Sequence, residues 1–163
     1  MKRLLINLDI CSACPQCVIA CSYYYHPDNR GIDRLRELAT YALICRHCEY
    51  GTCVQACPVE ALERGADGIL VRHSMRCIGC KSCAHACPFG TIYIDLLPYQ
   101  LSGCDLCADR AVNEDPLCVR TCPYGALKYQ EIEEAPEKGI CILNGSLAVL
   151  SHQWDRHPKT VKP

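Results

Sequence analysis

Apolar residues along this chain fall into short runs, which are separated by stretches rich in cysteine and polar residues. The run LLINLDI near the N-terminus predicts an opening strand, and the alternation in TIYIDLL and ALKYQEI predicts two more strands. The stretch from Gly65 to Gly68 predicts a hairpin turn. We expect a short helix around the last cysteine of each cysteine-rich stretch. The repeated unit is then a loop, a helix and a strand, and the predicted fold class is α+β.

The last part of the chain shows no such repeat. Between Pro136 and Pro163 there is no cysteine pattern, and His-Pro and Lys-Pro pairs interrupt the sequence. We expect residues 136–163 to form an irregular C-terminal arm that packs on the body of the protein or on a partner. No apolar run approaches the roughly 20 residues that cross a bilayer, so no membrane span is expected.

Charge and the N-terminal sequence limit the location and the partners. The N-terminus has the basic start of a signal peptide, but Asn7 and Asp9 interrupt its apolar run. We therefore expect no signal peptide and a cytoplasmic protein. The 17 basic and 18 acidic residues give a formal net charge of −1, and no basic stripe is present. This distribution predicts no nucleic-acid partner.

Cysteine changes this picture most. The chain has 17 Cys and one Phe in 163 residues, so an ordinary hydrophobic core is scarce. A short chain this rich in cysteine is often a secreted disulfide scaffold. Here the thiols are expected to stay reduced, their total is odd, and they lie two or three residues apart in tight clusters. Metal ligation explains this pattern better than disulfide bonds.

Sixteen of the cysteines form four motifs of four, and Cys141 stands outside them. The first and third motifs have the spacing CxxCxxCxxxC, the second is CxxCxxxxCxxxCP, and the fourth has a longer loop between its second and third cysteines. The motifs are Cys11, Cys14, Cys17 and Cys21; Cys45, Cys48, Cys53 and Cys57; Cys77, Cys80, Cys83 and Cys87; and Cys104, Cys107, Cys118 and Cys122.

This spacing is typical of iron-sulfur proteins. A CxxCxxC loop lets three successive sulfurs converge on one compact cluster, and the closing cysteine of CxxCxxCxxxCP belongs to the other cluster of a two-cluster protein. Zinc is the main alternative, but structural zinc sites use CxxC pairs a dozen or more residues apart. Four repeats of the motif therefore favour clusters of the 4Fe-4S type.

The order of the four motifs resembles a known family. The CxxxxC in the second motif and the stretched loop CDLCADRAVNEDPLCVRTCP in the fourth are similar to those of four-cluster ferredoxin-like subunits of molybdenum and tungsten oxidoreductases. The resemblance covers about residues 1–132. In size and layout the chain is most similar to the small iron-sulfur subunit of bacterial tungsten-dependent aldehyde oxidoreductases. Subunits of hydrogenases and formate dehydrogenases share the same motifs.

The resemblance implies a nested arrangement of ligands, in which the first motif pairs with the fourth and the second with the third. It predicts four 4Fe-4S clusters, held by Cys11, Cys14, Cys17 and Cys122; by Cys21, Cys104, Cys107 and Cys118; by Cys45, Cys48, Cys53 and Cys87; and by Cys57, Cys77, Cys80 and Cys83. Two bacterial-ferredoxin-like modules follow, each binding two clusters. The outer module comprises residues 1–39 and 98–135, and the inner module, residues 40–97, is inserted in it.

The function implied is electron transfer without catalysis. Four fully ligated clusters leave no open iron for a substrate, and no phosphate-binding loop is present. Electrons are expected to enter from a catalytic tungsten or molybdenum pterin subunit and to leave to a flavin (FAD) subunit or another acceptor. Self-association into longer chains is a further expectation. The alternatives are a free soluble polyferredoxin and a structural zinc or disulfide protein.

Several residues near the motifs leave two interpretations open. Arg46, Arg76 and Lys81 lie beside ligands and are placed to raise a reduction potential, although surface salt pairing explains them equally well. Cys141 is expected to be a buried or idle thiol, because every cluster is complete without it.

Overall fold

The computed structural model describes residues 1–21, 31–92, 104–107 and 114–154. The expected strand in TIYIDLL lies outside these ranges except for Thr91 and Ile92. In chain order the elements within these ranges are β1 (Lys2–Asn7), α1 (Leu8–Ala13), α2 (Gly31–Leu43), α3 (Thr52–Gln55), β2 (Leu62–Arg64), β3 (Leu70–Arg72), α4 (Ser82–Ala86), α5 (Leu117–Thr121), β4 (Leu127–Glu131), a 3-10 turn (Pro136–Lys138), β5 (Ile140–Ile142) and β6 (Leu147–Leu150).

The opening strand is shorter than the sequence predicts. β1 ends at Asn7, whose side chain accepts a hydrogen bond of 3.3 Å from the backbone N–H of Ile10. Asparagine in this position caps a helix, so α1 begins at Leu8 and carries the first cysteine of the first motif. The predicted strand is therefore confirmed over residues 4–7, and the end of LLINLDI, from Leu8, is helical.

The C-terminal segment is the main correction to the predicted fold. Through residue 154 it is not an irregular arm, because β5 and β6 complete a four-stranded sheet of order β4-β1-β6-β5. β6 runs parallel to β1, with Leu4 opposite Leu147, and β5 pairs antiparallel to β6. Short strands without a cysteine pattern give a weak sequence signal, and only pairing with β1 at the other end of the chain makes β6 a central strand.

The predicted hairpin is confirmed. β2 and β3 pair antiparallel, and the backbone N–H of Gly68 donates to the carbonyl of Gly65 at 2.9 Å. Gly68 has φ +76°, a conformation that glycine adopts without steric cost.

Helices and strands are mixed as expected, and the buried side chains form separate cores. The first core packs the sheet against the start of α2 and includes Leu4, Ile6, Ile32, Leu35, Leu127 and Leu147. The second core packs the hairpin against the end of α2 and includes Tyr41, Leu62, Leu70 and Ile92. The predicted boundary after residue 39 falls inside α2, so one helix serves both cores. The division into two modules stays a prediction.

Within the described ranges the structure has no helix long and apolar enough to cross a membrane.

Candidate cluster-binding sites

The cysteine loops share a local backbone geometry. The residue before the second cysteine has positive φ in three of the motifs, at His47 (50°), Gly79 (68°) and Leu106 (56°). This left-handed conformation reverses the chain direction within each CxxC, and successive N–H groups in such turns form anion-binding concavities. The conformation is strained at His47 and Leu106, because side chains other than glycine rarely adopt it.

A short helix then carries the third cysteine of the last three motifs. Cys53 lies in α3, Cys83 in α4 and Cys118 in α5. The sequence predicts these helices around the last cysteine, but each of them ends before it. α3 and α4 both start from a left-handed residue, Gly51 with φ +53° and Lys81 with φ +63°.

The Cys-Pro pair that closes these three motifs makes a third repeated turn. Three residues after the closing cysteine, a backbone N–H donates to that cysteine's carbonyl at 3.3–3.4 Å, and the donor residue has positive φ. Glycine is the donor in two of the turns, and Glu60 is the donor in the other. The donors are Glu60, Gly90 and Gly125, which follow Cys57, Cys87 and Cys122.

These loops bring the sixteen cysteines together around four cavities. The first cavity is lined by Cys11, Cys14, Cys17 and Cys122. The second is lined by Cys45, Cys48, Cys53 and Cys87. The third is lined by Cys57, Cys77, Cys80 and Cys83. The fourth is lined by Cys21, Cys104, Cys107 and Cys118.

Each cavity combines three cysteines of one motif with the closing cysteine of another. These four groups are the nested sets that the family resemblance implies. No three His, Cys, Asp or Glu side chains of the described residues converge as ligands of a single metal ion do. The sulfurs instead line the walls of a cavity, an arrangement that suits a cluster of several irons. Ligation itself stays a prediction.

The electrostatics of the cysteines also fit a cationic iron-sulfur core. Burial raises the pKa of the Cys118 thiol to about 12, and the neighbouring Cys104 and Cys107 add to the shift. Burial likewise raises the pKa of Cys83 to about 11, and Cys77 and Cys57 raise it further. Several thiolates in one cavity are therefore unfavourable without a positive partner. Iron supplies that partner, because it binds thiolates and not thiols.

Arginine side chains line the first three cavities. Burial raises the pKa of both Cys11 and Cys45, and a nearby arginine opposes the shift in each case, Arg36 at Cys11 and Arg64 at Cys45. Arg72 lines the third cavity. In the fourth cavity the charged side chain among the described residues is the acidic Asp105.

Two of the three charged residues that the sequence places beside predicted ligands line a cavity, and their effect on a reduction potential stays a prediction. Arg46 lines the second cavity and Lys81 the third. Arg76 donates to the backbone carbonyl of Glu60 at 3.4 Å and lines neither of these cavities.

Sequence reasoning missed Arg36, Arg64 and Arg72, which lie outside the motifs. For Arg72 the sequence does hold a signal. In the strand LVR it shares a face with the buried Leu70, which places a charge on the core side of the hairpin.

Cys141 lies in β5 and lines none of the four cavities. Its Sγ is 3.9 Å from the carboxylate Oε1 of Glu134 and 3.9 Å from the carbonyl of Ile142. Its position agrees with a thiol that takes no part in cluster binding.

Comparisons with known proteins agree with this chemistry. Residues 37–132 match the family described as a 4Fe-4S dicluster domain, and residues 8–24 match a 4Fe-4S binding domain. The protein is 34% identical to the thiosulfate reductase electron transfer subunit PhsB of Salmonella typhi, over 77% of its own length and 73% of that protein. It is 32% identical to the B subunit of anaerobic dimethyl sulfoxide reductase of Escherichia coli K12, over 90% and 78% respectively. It is 35% identical to the putative oxidoreductase AegA of the same organism, over 78% of its own length, but it spans only 21% of AegA.

Proposed function

The chain belongs to the 4Fe-4S dicluster domain family of iron-sulfur electron-transfer proteins, and from this premise we propose that it is a non-catalytic subunit that relays single electrons through four 4Fe-4S clusters. The observation that carries the proposal is the set of four cavities, each lined by four cysteines drawn from two motifs. A 4Fe-4S cluster supplies a one-electron redox centre when bound.

The protein's own residues would hold and shield the clusters. In each cavity four thiolates would bind iron. Three of them come from one motif and the fourth is the closing cysteine of the paired motif, so the cluster would connect two loops. Apolar side chains complete the walls; in the first cavity these include Ile19, Ile32 and Leu127. Such walls exclude water, and exclusion of water is one of the factors that set the potential of a cluster.

Large apolar side chains at the cavity edges support contact with a partner. Tyr124 borders the first cavity, Phe89 the second and Ile78 the third, and each is more than half exposed. A partner that covered these side chains would remove apolar surface from water, which favours association. They also place these cavities near the surface, where electrons can pass to another subunit.

We propose a molybdenum or tungsten pterin enzyme as the catalytic partner. PhsB is named as an electron transfer subunit of a reductase, and AegA is a longer oxidoreductase that contains a similar segment. The family resemblance narrows the proposal to a tungsten-dependent aldehyde oxidoreductase, with a flavin (FAD) subunit as the acceptor. Self-association of the protein into longer wires belongs to the same proposal.

Iron analysis with two cysteine variants tests the cluster assignment. The anaerobically purified protein should contain about sixteen irons and about sixteen sulfides. Cys118→Ser should lose about four irons or change the spectrum of one cluster, because serine is a poorer ligand. Cys141→Ser is the matched control and should keep the full content. Zinc in place of iron, or equal losses in both variants, would contradict the proposal.

Purification from native extract tests the subunit role. The protein should elute with larger subunits that contain a pterin cofactor, and the substrate of that enzyme should reduce the clusters. Elution as a lone protein of about 18 kDa, the mass of the polypeptide, would favour the free polyferredoxin instead.

A further inference from the structure

A buried arginine forms part of the wall of the third cavity. Arg72 is the last residue of β3, is 2% exposed, and lines the cavity together with Cys57, Cys77, Cys80 and Cys83. Arginine is rarely buried this completely unless it is paired. Its position in this wall therefore requires an explanation in terms of its partners.

Glu37 of α2 holds the guanidinium in a fixed orientation. Arg72 Nε donates to Glu37 Oε1, and Nη2 donates to Oε2 at 2.9 Å. Two parallel hydrogen bonds of this kind define the plane of the guanidinium as well as its place. The Glu37 side chain is 1% exposed, so water screens the pair very little.

Two neighbours on α2 in turn fix Glu37. The hydroxyl of Tyr41 donates to Oε1 at 3.0 Å, and Nη1 of Arg34 lies 3.1 Å from Oε2. Each oxygen of the Glu37 carboxylate therefore has a second partner in addition to Arg72. The whole assembly can therefore hold Arg72 in one position.

The third nitrogen of the guanidinium is left over. Nη1 of Arg72 is buried and has no hydrogen-bond partner within the described part of the chain. Arginine stays protonated in proteins, so the Arg72 guanidinium carries a permanent positive charge. Arg72 and Cys77, a predicted ligand, line the same cavity.

We propose that Arg72 donates its remaining Nη1–H to the Cys77 thiolate at the third cavity and so raises the reduction potential of the cluster bound there, with Glu37 as the positioning residue. The proposal rests on the proposed function, because it requires a cluster in that cavity. Hydrogen bonds to cluster sulfurs withdraw electron density, and they stabilise the reduced state, which carries the additional negative charge.

Burial distinguishes Arg72 from the charged residues that the motifs suggested. Arg76 and Lys81 are both exposed, so solvent and salt screen their charges. The Arg72 guanidinium acts at short range and from within the protein, where a charge interacts much more strongly.

Three variants separate tuning from a purely structural role. The double variant Glu37→Met/Arg72→Met removes the hydrogen bond without leaving a buried unpaired charge, and replacement of a buried ion pair by apolar residues is often well tolerated. Glu37→Gln removes the balancing negative charge but keeps one side-chain oxygen that accepts a hydrogen bond from Arg72, so the guanidinium keeps its place beside Cys77. Arg3→Met is the matched control: Arg3 is a half-buried arginine of β1 that donates to the carbonyl of Ile132 at 2.8 Å and lines none of the four cavities.

The measurement is an anaerobic redox titration followed by electron paramagnetic resonance, with iron content determined on the same samples. Cys80→Ser identifies the signal that belongs to the third cavity. In the double variant that signal should shift to a more negative potential by about 59 mV, which corresponds to a tenfold change in the ratio of reduced to oxidised cluster. In Glu37→Gln the same signal should shift to a more positive potential, and Arg3→Met should leave it unchanged.

Each outcome is decisive. Full iron content with opposite shifts in the double variant and in Glu37→Gln supports the proposal, because a structural role does not reverse the sign. Full iron content with no shift, or equal shifts of all clusters, overturns it. If the double variant loses the cluster, Glu37→Gln decides alone, and a negative or absent shift overturns the proposal. A wild-type protein without clusters overturns the proposed function itself.

Discussion

Truncation of Leu147 to alanine tests whether the C-terminal strand is part of the structural core. Leu147 lies in β6, opposite Leu4 of β1, and is completely buried. It packs in the first core, against which the predicted ligands Cys11 and Cys122 also lie. Loss of this side chain should therefore weaken the sheet and the cysteine loops together.

The size of the effect follows from the burial. Leu→Ala in a core costs about 2–5 kcal/mol, and a fully enclosed site between two strands should cost about 3 kcal/mol. In guanidinium chloride a small protein loses about 2–6 kcal/mol of stability per molar denaturant. The midpoint of unfolding should thus fall by about 0.5–1.5 M.

Two spectroscopic probes follow the C-terminal segment and the clusters separately. Trp154, the only tryptophan in the sequence, packs with Leu8, Leu43 and Val149, so its fluorescence follows the C-terminal segment. Visible absorbance follows the clusters. Under anaerobic conditions both transitions should move together in Leu147→Ala. Met75→Ala removes a side chain that is 80% exposed and serves as the control, with no expected change.

The reasoning would be refuted if the Trp154 transition moved in Leu147→Ala while the cluster absorbance kept its wild-type midpoint. The C-terminal strand would then be an accessory arm, as the sequence alone suggests.

Three further predictions concern turns, ligands and the C-terminal contact. Glu60 and Gly125 both have the left-handed conformation, which glycine adopts more easily than other residues. Glu60→Gly should therefore stabilise the protein by about 0.5–1 kcal/mol, and Gly125→Ala should destabilise it by about 1 kcal/mol. The midpoints of unfolding in denaturant measure both changes. Cys57→Ser should alter the cluster held by the third motif and spare that of the second, which resonance signals can distinguish. Asp9→Asn should weaken the hydrogen bond of 2.6 Å from the Ser151 hydroxyl and cost about 1–2 kcal/mol, measured as faster hydrogen exchange in residues 147–152.

Opposite results are informative in each case. A less stable Glu60→Gly protein would show that the glutamate side chain makes a stabilising contact. Loss of the second motif's cluster in Cys57→Ser would replace the nested arrangement with one in chain order. Unchanged exchange in Asp9→Asn would mean that strand pairing alone retains the C-terminal segment.

Local features of the fold could be predicted because neighbouring residues decide them. The hairpin of β2 and β3 depends on a turn between Gly65 and Gly68, and β4 depends on alternation within ALKYQEI. The end of β1 was missed because Asn7 resembles an interruption of a strand, whereas its side chain caps a helix. The short helices were predicted around the last cysteine of each motif, but they contain the third cysteine. The reason is that left-handed residues such as Gly51 and Lys81 directly precede the helices and so fix where they begin.

By itself the sequence determined the chemistry of this protein, since the spacing of cysteines along the chain limits which metal centre they can hold. Only the tertiary structure decided the place of β6 between β1 and β5, and the burial of Arg72 beside Cys77. Both depend on contacts between distant parts of the chain: β6 pairs with a strand at the opposite terminus, and Arg72 is held by Glu37 from another element. No local pattern specifies such partners, because many short strands and charged residues could compete for each place until the packed core selects one.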